Sequence, residues 1–202
     1  MSKVYAVKID PRDPDKFIID SAAKAIRSGA LVVFPTETVY GIAANMLDKK
    51  AIADLYKIKE RPENKPFTVH IADLKMVEGL GCKITKGAKV LIDKFWPGPL
   101  TIILKSKKGG TIGFRMPANK IALELIRCAG VPIVAPSANL SGKPAPTSAQ
   151  AAMKDLGGRV DMVLDGGKTQ IGLESTVIDL TVTPPKILRE GAVKIKELKE
   201  YV

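Results

Sequence analysis

Metal-binding and redox-active side chains are nearly missing from this chain. It has one histidine, His70, and two cysteines, Cys82 and Cys128, whose separation fits no zinc-ligand spacing. No protein-held metal is expected, and both cysteines read as buried free thiols of a reducing compartment. Aromatic residues make up only 5%. The core must therefore rest on Ile, Val, Leu and Ala, and the stacking surfaces of the usual single-strand RNA modules are not visible. No apolar run reaches the roughly 18 residues of a membrane span. Residues 1–8 lack the apolar stretch of a signal peptide, so a cytoplasmic protein is expected. Nucleophilic catalysis finds little support, because no serine sits in a Gly-x-Ser-x-Gly elbow. Asp165-Gly-Gly-Lys-Thr resembles a phosphate-binding loop, but Met162 stands where the leading glycine is required. Glu37 and Glu174 are carboxylates without an evident acid–base partner.

Positive charge is abundant. Lys and Arg number 32 against 21 Asp and Glu, a net charge of +11. That balance suits a nucleic acid or a phosphorylated ligand. Apolar content of 46% over 202 residues is ample for a core. Helical spacing runs over 15–28, 49–59, 85–95, 121–129 and 147–156, the last with Thr147 as its cap, and a short helix follows 193. Apolar runs at 31–34, 67–71, 100–104, 111–115, 131–135, 162–164, 175–180 and 186–188 read as strands. Interleaving of this kind predicts an α/β sheet with helical layers. There is no repeat and no linker-like break, so a single domain over 1–202 is expected.

The densest chemistry lies in Lys57-Ile-Lys-Glu-Arg-Pro-Glu-Asn-Lys-Pro-Phe67. Pro62 and Pro66 push Arg61 and Lys65 out of the helical region. Lys59 and Arg61 converge on one target if the helix ends before them. Cations on stiff backbone suit a polyanion such as a triphosphate. Read alone, the same stretch is a solvated basic helix end. Polar clusters also follow or end apolar strands: Thr36-Glu37-Thr38, His70, Arg115-Met-Pro117 and Ser137-Ala138-Asn139-Leu-Ser141. Each alone is an ordinary turn. Together with the cationic arm they predict one shared pocket. Ser137 and Asn139 share a face if that step is extended. Positioning and charge stabilisation, as in phosphoryl and nucleotidyl transfer, suit these residue types best.

In chain order, Pro35-Thr-Glu-Thr-Val-Tyr-Gly41, Lys59-x-Arg61-Pro62-x-x-Lys65-Pro66, His70-Ile71, Trp96-Pro-Gly-Pro-Leu-Thr101, Arg115-Met-Pro117, Pro136-Ser-Ala-Asn-Leu-Ser-Gly142, Glu174-Ser-Thr-Val177 and Leu188-Arg-Glu-Gly191 resemble the YrdC-like domain family, which includes threonylcarbamoyl-AMP synthases. The resemblance implies a mixed, twisted α/β sheet with helical layers around a large basic cavity. It implies the reaction L-threonine + bicarbonate + ATP → L-threonylcarbamoyl-AMP + pyrophosphate + water, a nucleotidyl transfer that feeds threonylcarbamoylation of the tRNA adenosine next to the anticodon. Lys59 and Arg61 would be catalytic, and with Lys65, Ser137, Asn139 and Arg189 would bind ATP, Mg²⁺ being held through the phosphates. Thr36, His70, Arg115 and Ser175 would bind threonine. Implied partners are tRNA or double-stranded RNA and a downstream tRNA threonylcarbamoyl transferase complex, with no membrane.

Two departures stand out. Ala145 replaces a serine common in the family, which weakens or replaces one ATP contact. Longer members carry a second domain, so lid function would fall to this chain's own loops or to a partner. A non-catalytic RNA-binding protein, and a related carbamoyl-adenylate or carbamoyltransfer enzyme on the same fold, are the rival readings.

Overall fold

The computed structural model describes residues 4 and 6–201. Part of the segment read for a signal peptide, and both ends of the expected 1–202 domain, lie outside the described residues. In chain order the strands are β1 (Ala6–Lys8), β2 (Val32–Phe34), β3 (Gly41–Asn45), β4 (Val69–His70), β5 (Leu100–Lys105), β6 (Thr111–Arg115), β7 (Ile133–Val134), β8 (Met162–Asp165), β9 (Thr176–Asp179) and β10 (Lys186–Arg189). The helices are α1 (Lys16–Arg27), α2 (Lys49–Lys59), α3 (Lys75–Gly79), α4 (Lys86–Phe95), α5 (Lys120–Ala129), α6 (Ala149–Leu156) and α7 (Ile195–Leu198).

One mixed sheet runs β1-β8-β2-β3-β7-β4-β6-β5-β9-β10. Its parallel pairs are β1/β8, β2/β8, β4/β6 and β5/β9, and the others are antiparallel. The expected mixed α/β architecture is therefore present. Helices start where capping side chains satisfy free N–H groups: Asp15 for α1, Asp48 for α2, Thr85 for α4 and Asn119 for α5. For α6 the cap is Ser148, not Thr147 as expected; its hydroxyl accepts from the Ala151 amide at 3.2 Å.

Strands β1 and β3 and the short helix α3 were absent from the sequence reading. β3 is wholly buried and centred on small residues, Gly41-Ile-Ala-Ala-Asn45, which give little β-propensity signal. Cys82 is buried as expected, but Cys128 is exposed, because it points off α5 while Ile121, Ala122, Leu125, Ile126 and Ala129 face the core.

Alternation along the strands sorts side chains to two faces. On one face Val33, Ile42, Val69, Ile102, Phe114, Val134 and Ile178 pack with α2, α4 and α6. On the other, Val32, Phe34, Ala43 and Ile133 pack under α1 and α5, which also pack on each other. No described residue of β5, β6 or β9 belongs to that second cluster. The helix pair covers only part of the sheet, and the same face of β4, β6 and β5 is left for polar side chains.

Candidate active site

That uncovered face holds a cleft with a cavity of about 90 Å³, lined by Thr36, Val39, Gly41, Arg61, Pro66, Phe67, Thr68, His70, Thr101, Arg115, Ala135, Pro136, Ser137, Glu174, Ser175 and Arg189. Register brings its parts together. His70 and Arg115 are paired residues at the ends of β4 and β6. Thr101 lies near the start of β5, and Ser175 immediately precedes its neighbour β9. Gly41 bridges Ser137. At Gly41 an added Cβ would come within 3.3 Å of the Phe34 ring, which would have to give by a few tenths of an ångström.

Segment 35–40 joins β2 to β3 and is almost wholly buried. Buried loop backbone must find partners, and Thr36 supplies them. Its Oγ1 donates to the Val39 carbonyl at 2.6 Å and accepts from the Thr38 and Val39 amides, both at 3.2 Å. Glu37, without context in the sequence, meets Arg115 in a buried ion pair: Arg115 Nη2 donates to Glu37 Oε1 at 2.8 Å and to Thr38 Oγ1 at 2.6 Å. Arg115 Nε donates to the Gly98 carbonyl at 3.3 Å. Among the described residues Nη1 has no acceptor, so one arm of a rigidly held guanidinium remains for a ligand.

Burial, and next the Arg115 charge, push His70 down to about 3, so its imidazole is neutral. Its Nδ1 is buried and has no partner among the described residues. An orphaned lone pair costs less than an orphaned N–H, which puts the proton on Nε2. His70 is thus a hydrogen-bond donor and not a cation. Beside it, the hydroxyls of Thr101 and Ser175 are 2.9 Å apart.

Arg189 reaches across from the edge strand. Its Nε and Nη2 donate to the Ser175 carbonyl at 3.1 and 2.9 Å, and its Nη1 pairs with Glu174 at 2.9 Å. Gly191 permits this closeness, since a Cβ there would sit on the Glu174 carbonyl oxygen. Arg61 closes the opposite wall. It lies 5.2 Å over the Phe67 ring, which stacks on Tyr56 at 4.3 Å, and its Nε and Nη2 donate to the carbonyls of Lys65 and Pro66.

Of the residues expected to form the site, Thr36, Arg61, His70, Arg115, Ser137, Ser175 and Arg189 line this one cleft. Lys59, Lys65 and Asn139 do not. Lys65 is exposed. Lys59 is the last residue of α2, and Glu60 then turns with φ 52° while the Glu60 and Arg61 amides bond back to the carbonyls of Lys57 and Tyr56. This closure sends Lys59 inward and Arg61 to the cleft, so the two do not converge through extended chain. Lys59 Nζ instead donates to the carbonyls of Ser137 and Asn139 at 2.5 and 2.7 Å. Burial, and next the Arg61 charge, push it down to about 8. Asn139 also turns inward: its amide donates to the Leu140 and Lys143 carbonyls, so Ser137 and Asn139 do not share a face. Glu37 and Glu174 were noted in the sequence only as carboxylates without a partner, Glu37 within a cluster expected at the pocket, and Thr101 and Phe67 were not nominated for the site. Thr101 and Glu174 stood inside the quoted motifs, whereas the roles of Glu37 and Phe67 depend on partners distant in sequence.

The Sua5/YciO/YrdC family profile, described as "Telomere recombination", matches residues 24–191. A "Threonylcarbamoyl-AMP synthase" of Pyrococcus abyssi is 46% identical over 197 residues, covering 93% of this chain and 58% of that protein. One of Bacillus subtilis is 42% identical over 205 residues, covering 96% and 58%. This chain therefore spans under two thirds of the length of these relatives. The crystal structure of P. abyssi Sua5 complexed with L-threonine superposes with a TM-score of 0.93 at 43% identity, over 98% of this chain and 61% of that one. The large basic cavity anticipated from the sequence is not shown by any of this; the cleft itself is narrow.

Proposed function

The chain belongs to the Sua5/YciO/YrdC family, and from that premise we propose that it is an L-threonylcarbamoyladenylate synthase, a nucleotidyltransferase acting on L-threonine, bicarbonate and ATP, with 1–202 as one domain. One observation carries the reading: the polar side chains Thr36, His70, Arg115 and Ser175 line the same cleft as the phosphate-suited cations Arg61 and Arg189.

Arg115 offers its free Nη1 to the threonine carboxylate, its other donors being fixed by Glu37, Thr38 and Gly98. Neutral His70 and the Thr101/Ser175 hydroxyl pair hydrogen-bond the substrate hydroxyl and amine. As a donor, the His70 Nε2–H can meet the lone pair of the unprotonated amine and so favours that nucleophilic form, the ammonium proton leaving to solvent. The amine combines with bicarbonate to give an N-carboxylate and water. A carboxylate oxygen then attacks the α-phosphorus of ATP, and pyrophosphate leaves with the bonding pair. Arg61 and Arg189 stabilise the charge that develops on the phosphates, with Lys65 flanking them. Ser137 contacts the nucleotide, and Lys59 and Asn139 hold the loop that carries it. No protein nucleophile is needed. Glu37 and Glu174 are committed to arginines, and no described group of three His, Cys, Asp or Glu gathers as a metal site. Mg²⁺ enters as part of the substrate, on the triphosphate. The product suits tRNA threonylcarbamoylation by a downstream transferase, in a cytoplasmic setting where ATP and free threonine meet. No described helix is long and apolar enough to cross a membrane.

The test is pyrophosphate release with threonine and bicarbonate supplied separately and together. Release should need both. Serine should lose only about 1–3 kcal/mol in kcat/KM, while valine should be far worse, because it leaves the site's polar groups unpaired. Equal release without threonine, or comparable efficiency with valine, would overturn the assignment.

A further inference from the structure

A second pocket lies outside the cleft and shares no residue with it. It opens between α3 and the last turn of α5, with a cavity of about 430 Å³. That is within the range of small-molecule sites, about 300–1,000 Å³. Its wall is mostly apolar. Met76 and Leu80 come from α3 and its C-cap, Ile126 from α5, and Val131 and Pro132 from the turn into β7. Ile126 is buried, and the other four are half-buried. Apolar surface left wet in a hollow favours an apolar occupant, which removes it from water. The lining also carries one carboxylate, Asp73, and one guanidinium, Arg127, both exposed. Among the described residues neither forms an ion pair, with the other or with any third group. Asp73 Oδ1 accepts from the Met76 amide at 3.2 Å, which fixes the carboxylate at the start of α3 and leaves Oδ2 over.

Two opposite charges that border one apolar hollow without bonding each other match a ligand carrying both charges and an apolar body. We propose that this pocket binds a free α-amino acid with a large apolar side chain, of the leucine, isoleucine or methionine kind. Arg127 takes the carboxylate, which suits its planar fork. Asp73 Oδ2 takes the ammonium. Met76, Leu80, Ile126 and Val131 take the side chain. Other occupants fit less well. A phosphorylated ligand would bring its negative charges to a single arginine beside a carboxylate. A fatty acid would pair with Arg127 and leave Asp73 without a counter-charge. A protein partner needs a broad interface, yet none of the large apolar side chains that stand exposed, Phe17, Leu47 and Leu188 among them, lines this pocket. The side chain of threonine is too short and too polar to use the apolar wall. The site adjoins the cleft without belonging to it. Asp73 follows His70 by three residues, and Pro132 precedes Ile133, the β7 partner of His70. None of its residues takes part in the catalytic reading, so the proposal stands whether or not that reading does.

The experiment is isothermal titration calorimetry with four probes: L-leucine, L-leucinamide, which lacks the carboxylate, 4-methylpentanoate, which lacks the ammonium, and glycine, which lacks the side chain. The proteins are wild type, Arg127→Gln and Asp73→Asn. Both replaced side chains are exposed, and asparagine keeps the oxygen that caps α3. Leucine should bind wild type at one site with a dissociation constant of about 1 mM or tighter. Leucinamide and 4-methylpentanoate should each bind at least about tenfold more weakly, and glycine not measurably. Each variant should lose about tenfold for leucine. Arg127→Gln should no longer separate leucine from leucinamide, and Asp73→Asn should no longer separate leucine from 4-methylpentanoate, because the charge that read the difference is gone. Added threonine should not displace leucine. No leucine binding at about 10 mM, equal affinity for leucinamide or glycine, wild-type affinity in both variants, or displacement by threonine, which would put leucine in the cleft, would each overturn the proposal.

Discussion

Lys59→Met separates two roles for the same lysine. Removing its ammonium leaves the Ser137 and Asn139 carbonyls, now bonded at 2.5 and 2.7 Å, without their donor. Each bond to a charged group is worth about 1.5–3 kcal/mol, about 3–6 for the pair. Against this, keeping the charge buried carries its own penalty: the fall from 10.5 to about 8 corresponds to about 3 kcal/mol. The net loss of stability should therefore be small, about 0–3 kcal/mol in urea unfolding. The loop should nonetheless loosen, because it loses the clamp that sets Ser137 against the cleft. Turnover should fall on the order of a hundredfold, as expected when a positioned group drifts by about 1 Å. Amide exchange at 138 and 141 should quicken. The pH dependence gives an independent check. Between about 8 and 10.5 the unfolded chain still binds the Lys59 proton while the folded chain has released it. Stability of the wild type should rise with pH across that window relative to Lys59→Met, the penalty being fully present below it. A variant with wild-type turnover and unchanged exchange would refute the clamp. A rise confined to the ATP Michaelis constant, with loop protection intact, would make Lys59 a direct phosphate ligand instead.

Three further outcomes follow from the same geometry. Glu37→Ala should destabilise the fold by about 3–5 kcal/mol, because it leaves the Arg115 guanidinium buried without its counter-charge, and should raise the threonine Michaelis constant; urea unfolding and initial rates check both. Gly191→Ala should push the segment before β9 away from β10 and withdraw Arg189, lowering turnover with little change in far-ultraviolet circular dichroism, and a fully active variant would contradict that close approach. His70 binds its proton less readily folded than unfolded, so stability should fall with pH from about 6.5 toward 3, and His70→Asn should flatten that limb; an equally steep limb in the variant would assign it elsewhere.

Local rules were enough for much of this molecule. The expected helix ends at 15, 49, 85 and 130 agree with the structure, where Asp15, Asp48, Thr85 and Asn119 cap through neighbours along the chain, although the one cap named from the sequence, Thr147, proved to be Ser148. Hydrophobic period gave the longer helices and most strands for the same reason, but not the five-residue α3, which is too short to show a period. The ordered motifs carried the family. Of the residues they nominated, Thr36, Arg61, His70, Arg115, Ser137, Ser175 and Arg189 meet in one cleft. β3 was not legible, because Gly41-Ile-Ala-Ala-Asn45 owes its strand state to neighbours on both sides and not to its own propensity.

The direction of each side chain was decided only in three dimensions. Spacing placed Lys59 beside Arg61, but the left-handed turn at Glu60 sent one to carbonyls 78 and 80 residues away and the other to the cleft. Glu37 was a lone carboxylate in the sequence and became the anchor of Arg115 once β2 and β6 were folded across the same sheet. Asp73 and Arg127 were unrelated charges until the packing of α3 beside the end of α5 set them on one pocket. What a residue is, and which element it joins, follows from short-range chemistry written along the chain. What it touches depends on strand order and register, which long-range packing sets and no local pattern encodes.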